Sequence, residues 1–172
     1  PSGVSTNHNT YLYVALTRMA DLCDALEQPE KARYYRAEAE RLRDAINTVL
    51  WMSEAPGGPR YADWITPEGR KVHYCADIAQ FPPLAFGVAT KEQASQLLDT
   101  IDRRIEFLEE EYGYAGYASL SAYWPVPEEL IIFDWMKEYT VYMNGGSFLG
   151  QTFLEIMARA RNGDIDGAWE RL

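Results

Sequence analysis

Five acidic side chains have neighbours that give them more to do than keep a surface wet: Asp63, Asp77, Glu128, Glu129 and Asp134. Asp63 and Asp77 each lie among apolar residues, where loss of water disfavours the charged form and lifts a carboxyl's pKa. Glu128, Glu129 and Asp134 fall in a long aromatic stretch. Cleavage of a glycosidic bond needs two carboxyl groups flanking it, one protonated as general acid and one ionised as base or nucleophile. Carboxylates also serve as turn and cap residues, and spacing in sequence says nothing of distance in space, so the pairing stays open at this level.

The rings near these acids, Trp64, Trp124, Trp135 and Tyr142, fit the same chemistry. Flat apolar faces suit the C–H groups of a sugar, while Asp, Glu, Asn and Gln exchange hydrogen bonds with its hydroxyls. Rings beneath long loops also act as core plugs, and both readings stand.

Other chemistries are poorly served. His8 and His73 are far apart, and neither has an acid at helical spacing. Asn7-His8-Asn9 reads as a cap ahead of the first helix. There is no P-loop, dinucleotide glycine fingerprint or G-x-S-x-G. Cys23, on an apolar helical face, and Cys75, beside a predicted strand, lack metal spacing and read as buried free thiols. No metal and no cofactor are expected. The net charge of −10 repels phosphate backbones, so no nucleic-acid partner is expected. No apolar run approaches the ~20 residues that span a bilayer, so no membrane partner is expected either. The reading is a soluble domain, cytoplasmic or secreted.

These residues must be held by helices. Thr10–Glu27 carries Leu12, Ala15, Leu16, Met19, Leu22, Cys23 and Leu26 at three- and four-residue intervals, the repeat of one helix face. Pro29 suits the first turn of a second helix running to about Trp51, with Tyr35, Ala39, Leu42, Ile46 and Val49 or Leu50 inward. So short a connection makes the two antiparallel. Residues 60–65 and 70–74 alternate around Thr66-Pro67-Glu68-Gly69, a β-hairpin with a type I turn. Gln80-Phe81-Pro82-Pro83 is expected to break the chain. Thr90-Lys91-Glu92-Gln93 has the form of a capping box opening a third long helix, with Ala94, Leu97, Leu98, Ile101, Ile105 and Leu108 inward. From Tyr112 to Met143 no period is sustained, and a long shaped loop with at most short helices is expected. A fourth helix spans about Ser147–Arg161, with Phe148, Thr152, Ile156, Met157 and Ala160 inward. Asp164 caps a fifth. The class is mainly all-α, antiparallel helix hairpins with one small β-hairpin insertion. A single domain over 1–172 suits the length, since one domain commonly takes roughly 100–200 residues. We expect it to be a portion of a longer polypeptide.

Three strings carry a family resemblance: Asn7-His8-Asn9-Thr10-Tyr11 opening a helix, Arg60-Tyr61-Ala62-Asp63-Trp64 after a helix ending in Leu50-Trp51, and Tyr142-Met143-Asn144-Gly145-Gly146 leading into another helix. Together they resemble the six-hairpin glycosidase superfamily, which includes α-L-rhamnosidases, glycogen-debranching glucosidases and cellobiose-type phosphorylases. The resemblance implies an (α/α)6 toroid, here a partial barrel from its C-terminal part, whose loops build a sugar pocket and whose remainder or a second chain would complete it. In rhamnosidase-like members a catalytic glutamate follows a tryptophan before a late helix. Here Pro125 follows Trp124, and Glu128 is the closest acid. The resemblance thus points to Glu128, and together with the apolar setting of Asp77 the expectation is catalysis by Glu128 and Asp77, with Asp63, Trp64, Trp124, Tyr142 and Asn144 binding an oligosaccharide or glycoside. A sugar epimerase or phosphorylase on the same fold is an alternative. A non-catalytic helical-repeat scaffold is another, although the chain lacks the regular period near 34 residues such scaffolds show.

Overall fold

The computed structural model of the chain describes residues 3–113, 119–147 and 149–172. A short strand β1 (Val4–Ser5) leads into α1 (Thr6–Ala25), and a tight turn leads to α2 (Pro29–Ala45), whose last turn, Ile46–Leu50, widens to π-helical hydrogen bonding. The strands β2 (Trp51–Met52), β3 (Arg60–Tyr61), β4 (Trp64–Ile65) and β5 (Lys71–Val72) follow. Then come α3 (Asp77–Ala85) and α4 (Lys91–Tyr112). Single 3₁₀ turns at Glu128–Leu130 and Asp134–Met136 interrupt the long connection to α5 (Leu149–Arg161) and α6 (Ile165–Glu170). The protein is mainly helical, with a small antiparallel β insertion, as its periodicities predict.

α2 packs on α1, α3 packs on both α1 and α5, and α6 packs on α5. The helices α1, α3 and α5 therefore form one row with α3 in its middle. The core lies between α3, α4 and the end of α2, where Phe81, Leu84, Leu97, Ile101, Leu108, Ile46 and Leu50 are almost fully buried. Each such aliphatic or aromatic side chain contributes about 1.5–3 kcal/mol relative to exposure. The predicted inward face of α4 is buried throughout. Its capping box forms, with Thr90 Oγ1 accepting from Gln93 N and Gln93 Oε1 accepting from Thr90 N.

α1 corrects its prediction twice. It begins at Thr6 with Ser5 as its cap, so Asn7-His8-Asn9 lies inside the first turn, Asn9 Nδ2 donating to Ser5 O. Its packed face is Thr6, Thr10, Ala20 and Cys23, whereas Leu12, Met19, Leu22 and Leu26 are exposed. Small residues settle this, because Ala20 on α1 and Ala32 and Ala39 on α2 are buried and let the two backbones approach closely. On α5, Thr152 is buried as expected, Met157 and Ala160 are exposed, and Phe148 lies outside the described residues.

The predicted break at Pro82-Pro83 is a second correction, since both prolines lie inside α3. A proline in a helix interior costs about 3 kcal/mol through its missing N–H and its clash with the preceding turn. Burial offsets that cost, because seven of the eight residues of α3 after Asp77 are buried between its neighbours. The hairpin is the third correction. Its turn closes as predicted, Gly69 N donating to Thr66 O at 2.9 Å. Its first strand, however, divides at Ala62–Asp63. β3 pairs with β2, while β4 pairs with both β5 and β1.

Candidate functional site

The division of that strand makes the corner on which the site is built. Asp63 sits there, 3 % exposed, with its backbone N donating to Val72 O and its carbonyl accepting from Thr6 N. Thr6 Oγ1 donates to the neighbouring Ala62 O. The Asp63 carboxylate accepts from Ala76 N at 2.8 Å, Cys75 N at 3.1 Å and Gln80 Nε2 at 3.1 Å. Gln80 completes the tie, since its Oε1 accepts from Tyr61 N and its Nε2 also donates to Tyr61 O. Asp63 therefore locks the hairpin onto the start of α3. It also holds Cys75 in a left-handed conformation, φ 61°, which costs a non-glycine residue about 1–3 kcal/mol. Burial pushes the Asp63 carboxyl up to about 7, against the pull of its three N–H donors.

Asp77, the first residue of α3, is equally buried and differently satisfied. Its Oδ1 accepts from Ile78 N at 2.6 Å. Its Oδ2 is buried with no hydrogen-bond partner among the described residues. A helix N-terminus favours a carboxylate by about 0.3–1 kcal/mol, but burial outweighs this. Burial, with added repulsion from Glu155 and Asp63, pushes Asp77 up to about 7. An unpartnered carboxyl oxygen at that pKa is able to carry and donate a proton near neutrality.

The third carboxylate of this neighbourhood, Glu155, is fully buried on α5. It accepts from Arg159 Nε and Arg171 Nε, each at 2.9 Å, and from Ser119 Oγ at 2.6 Å. Arg159 also binds Asp164 at 2.6 Å and Asp102, which fastens α5 to α4. Sequence reasoning missed Glu155, Arg159 and Gln80. The signals were present, for Glu155 and Arg159 stand four apart on a helix among apolar residues, and Gln80 is the lone polar side chain between Ala79 and Phe81.

The residues named from sequence fall into three groups. Asp63 and Asp77 form the first, with Asp63 and the unforeseen Glu155 both close enough to Asp77 to act on its charge. The second group lines the 119–147 segment. Single bridges Ala76–Ala122 and Leu120–Ser147 set this segment between the start of α3 and the Asn144-Gly145-Gly146 turn. Asn144 is buried and spends its amide on the loop, donating to Met136 O and Lys137 O and accepting from Val126 N. Tyr142 is half exposed beside it. Glu128 points outward and pairs with Lys137 Nζ at 3.3 Å, while Glu129 pairs with Arg70 of the hairpin at 3.2 Å.

The two tryptophans form the third group. Trp64 packs edge-on against Tyr74 with centroids 5.6 Å apart. Trp124 lies under the Arg60 guanidinium at 4.2 Å, with Arg104 at 5.2 Å. Gly57, at φ 89°, fits against its ring where a Cβ would come within 2.8 Å. A separate cleft of ≈ 620 Å³, lined by Lys91, Ser95, Asp99, Asp102, Arg161 and Asp164 among others, includes none of the predicted site residues. Both cysteines are buried free thiols, as read from sequence.

A model of the family described as Trehalase matches residues 3–123. The chain belongs to the trehalase family. Trehalases are six-hairpin glycosidases, so the superfamily resemblance holds, and with it a glycoside-hydrolase type of function acting on a glycoside; the strings at Asn7–Tyr11 and Arg60–Trp64 lie within the match and the one at Tyr142–Gly146 beyond it. A comparison with curated proteins gives no match. The trehalase match takes in α1 to α4 with Asp63, Trp64 and Asp77, while Trp124, Glu128, Tyr142 and Asn144 lie beyond it.

Proposed function

We propose that this trehalase-family chain is a C-terminal part of an (α/α) toroidal catalytic domain, and that it hydrolyses a glycosidic bond with Asp77 as proton donor. The observation that carries the assignment is the unpartnered Oδ2 of Asp77 on a carboxyl that burial pushes up to about 7. At neutral pH a substantial fraction of such a group is protonated, and its proton goes to the leaving-group oxygen as the bond to the anomeric carbon breaks. Glu128 is the proposed second carboxyl, activating water or attacking the anomeric carbon. Asp63 holds the corner that aims Asp77. Trp64, Trp124, Tyr142 and Asn144 shape the sugar site, the last by fixing the loop that carries Tyr142.

The toroid reading draws on the row α1–α3–α5 and on the apolar side chains left outward at its two ends. These are Leu12, Met19, Leu22 and Leu26 on α1, and Leu149, Phe153, Ile165 and Trp169 on α5 and α6. A closed ring of helices would cover both faces with further helices of the barrel, from the same or a second chain. The helical-repeat alternative has no observation in its favour beside the trehalase match.

The test is hydrolysis of trehalose and of other neutral disaccharides by the protein and by Asp77→Asn and Glu128→Gln. Loss of turnover in both variants, with folding intact, is expected. Turnover by Asp77→Asn at the wild-type rate would remove the proton-donor role.

A further inference from the structure

The segment from Glu128 to Met143 turns three of its rings outward and Tyr139 inward. Phe133, Trp135 and Tyr142 are 55 %, 59 % and 50 % exposed, beside Ile132 and Met143. Phe133 and Trp135 stack with centroids 6.0 Å apart and planes 16° apart, and Tyr142 lies 5.7 Å from Trp135. Contiguous apolar surface of this kind marks a place where something binds.

The rings stand on a fixed frame. Met136 is buried beneath them, and Asn144 ties both ends of the turn. Lys137 binds Asp134 at 3.0 Å and Glu128 at 3.3 Å. Thr140 and Tyr142 are held at φ 81° and 45°. A frame that fixes exposed rings in advance removes part of the ordering cost of binding.

Charge identifies the occupant. Carboxylates are interleaved with the rings, Glu128 and Glu129 ahead of them, Asp134 between Phe133 and Trp135, and Glu138 after. The centres of protein interfaces are depleted in Glu, Asp and Lys. A pyranose, in contrast, presents C–H groups to a ring face and hydroxyls to carboxylates at the same time. The acidic loop, on a chain of net charge −10, disfavours anionic sugars, nucleic acid and anionic lipid.

We infer that Phe133, Trp135 and Tyr142 form a stacking platform for a pyranose ring of a neutral oligosaccharide. The platform adjoins the site of Asp77: Tyr142 O accepts from Ser121 Oγ, and Ala122, next to Ser121, bridges to Ala76. The inference takes its substrate class from the proposed function.

Calorimetric titration with trehalose and with maltotetraose separates the two claims. Wild type and Asp77→Asn should bind one or both sugars with equal affinity, and Trp135→Ala and Phe133→Ala should weaken binding about tenfold. Trp135→Phe, which keeps a ring, should stay within about threefold of wild type. Binding that depends on Trp135 upholds the platform whether or not the protein hydrolyses the sugar, so a failure of the hydrolase reading shows in the turnover assay alone. Equal affinity in wild type and Trp135→Ala, or no binding of either sugar by wild type, overturns the platform. So does self-association in sedimentation that Trp135→Ala abolishes, since the face would then be a protein interface.

Discussion

Asp63 and Asp77 are equally buried, both 3 % exposed, and burial pushes both carboxyls up to about 7. They differ in what meets their oxygens. Asp63 receives three N–H donors from two segments, whereas Asp77 receives one and leaves Oδ2 unpartnered. A raised pKa alone therefore does not separate a structural carboxyl from a reactive one. The hydrogen-bond inventory distinguishes the two, because Asp63 commits both oxygens to N–H donors and Asp77 only one, and on that difference rests the proposed role of Asp77. Glu155 adds a third case, buried but paired with two arginines and a hydroxyl.

Substitutions break this comparison apart. Asp77→Asn should lower turnover of trehalose by roughly 10²–10⁴-fold, the usual contribution of a general acid, with the urea midpoint at about pH 4, where folded and unfolded Asp77 are both largely protonated, close to wild type because the amide oxygen still accepts from Ile78 N. A midpoint shift as large as that of the Asp63 variant would show the two carboxyls to be alike. Glu155→Ala leaves Arg171 and part of Arg159 buried without a counter-charge and should cost about 3–5 kcal/mol in urea unfolding. Asp63→Asn turns an NH₂ toward a backbone donor and should cost about 1–3 kcal/mol.

The pH dependence of stability sharpens the contrast further. Asp63 and Asp77 are pushed from 3.8 to about 7 on folding, so between these values the folded form binds more protons than the unfolded one. Stability should fall as pH rises from about 4 to about 7 and level off above, and below about 4 both forms are protonated and the slope vanishes. Asp77→Asn should flatten its share of that slope, measured as unfolding midpoint against pH, while activity that needs the protonated Asp77 declines above about pH 7. An unchanged slope in the variant would place Asp77 in water. The smallest effect belongs to the exposed pairs. Lys137→Ala removes ion pairs to Glu128 and Asp134 and should cost under about 1 kcal/mol, less in high salt.

The candidate site was legible in the sequence only as far as the setting of its residues is local. Asp63 and Asp77 stood out through their apolar neighbours, and both are buried. Which of the two keeps a free oxygen depends on Gln80, Cys75 and Ala76 folding back onto Asp63, a contact that no spacing announces. Asn144 was marked by the Asn-Gly-Gly string, and its commitment to Met136, Lys137 and Val126 appears only once the loop closes. Trp135 and Trp124 read alike in sequence, yet one is exposed and the other lies against Arg60 and Arg104.

The same division runs through the fold. The sequence alone determined the α4 face, the Thr90–Gln93 capping box, the turn at Thr66–Gly69 and the Asp164 cap, because each is settled by interactions within a few residues or by a stripe whose partner lies in the same chain. Only the tertiary structure decided that α1 packs through Thr10, Ala20 and Cys23 and leaves Leu12 and Leu22 outward, that α3 runs through two prolines, and that one strand divides between two sheets. In each of these, packing against distant segments outweighed a local preference worth a few kcal/mol.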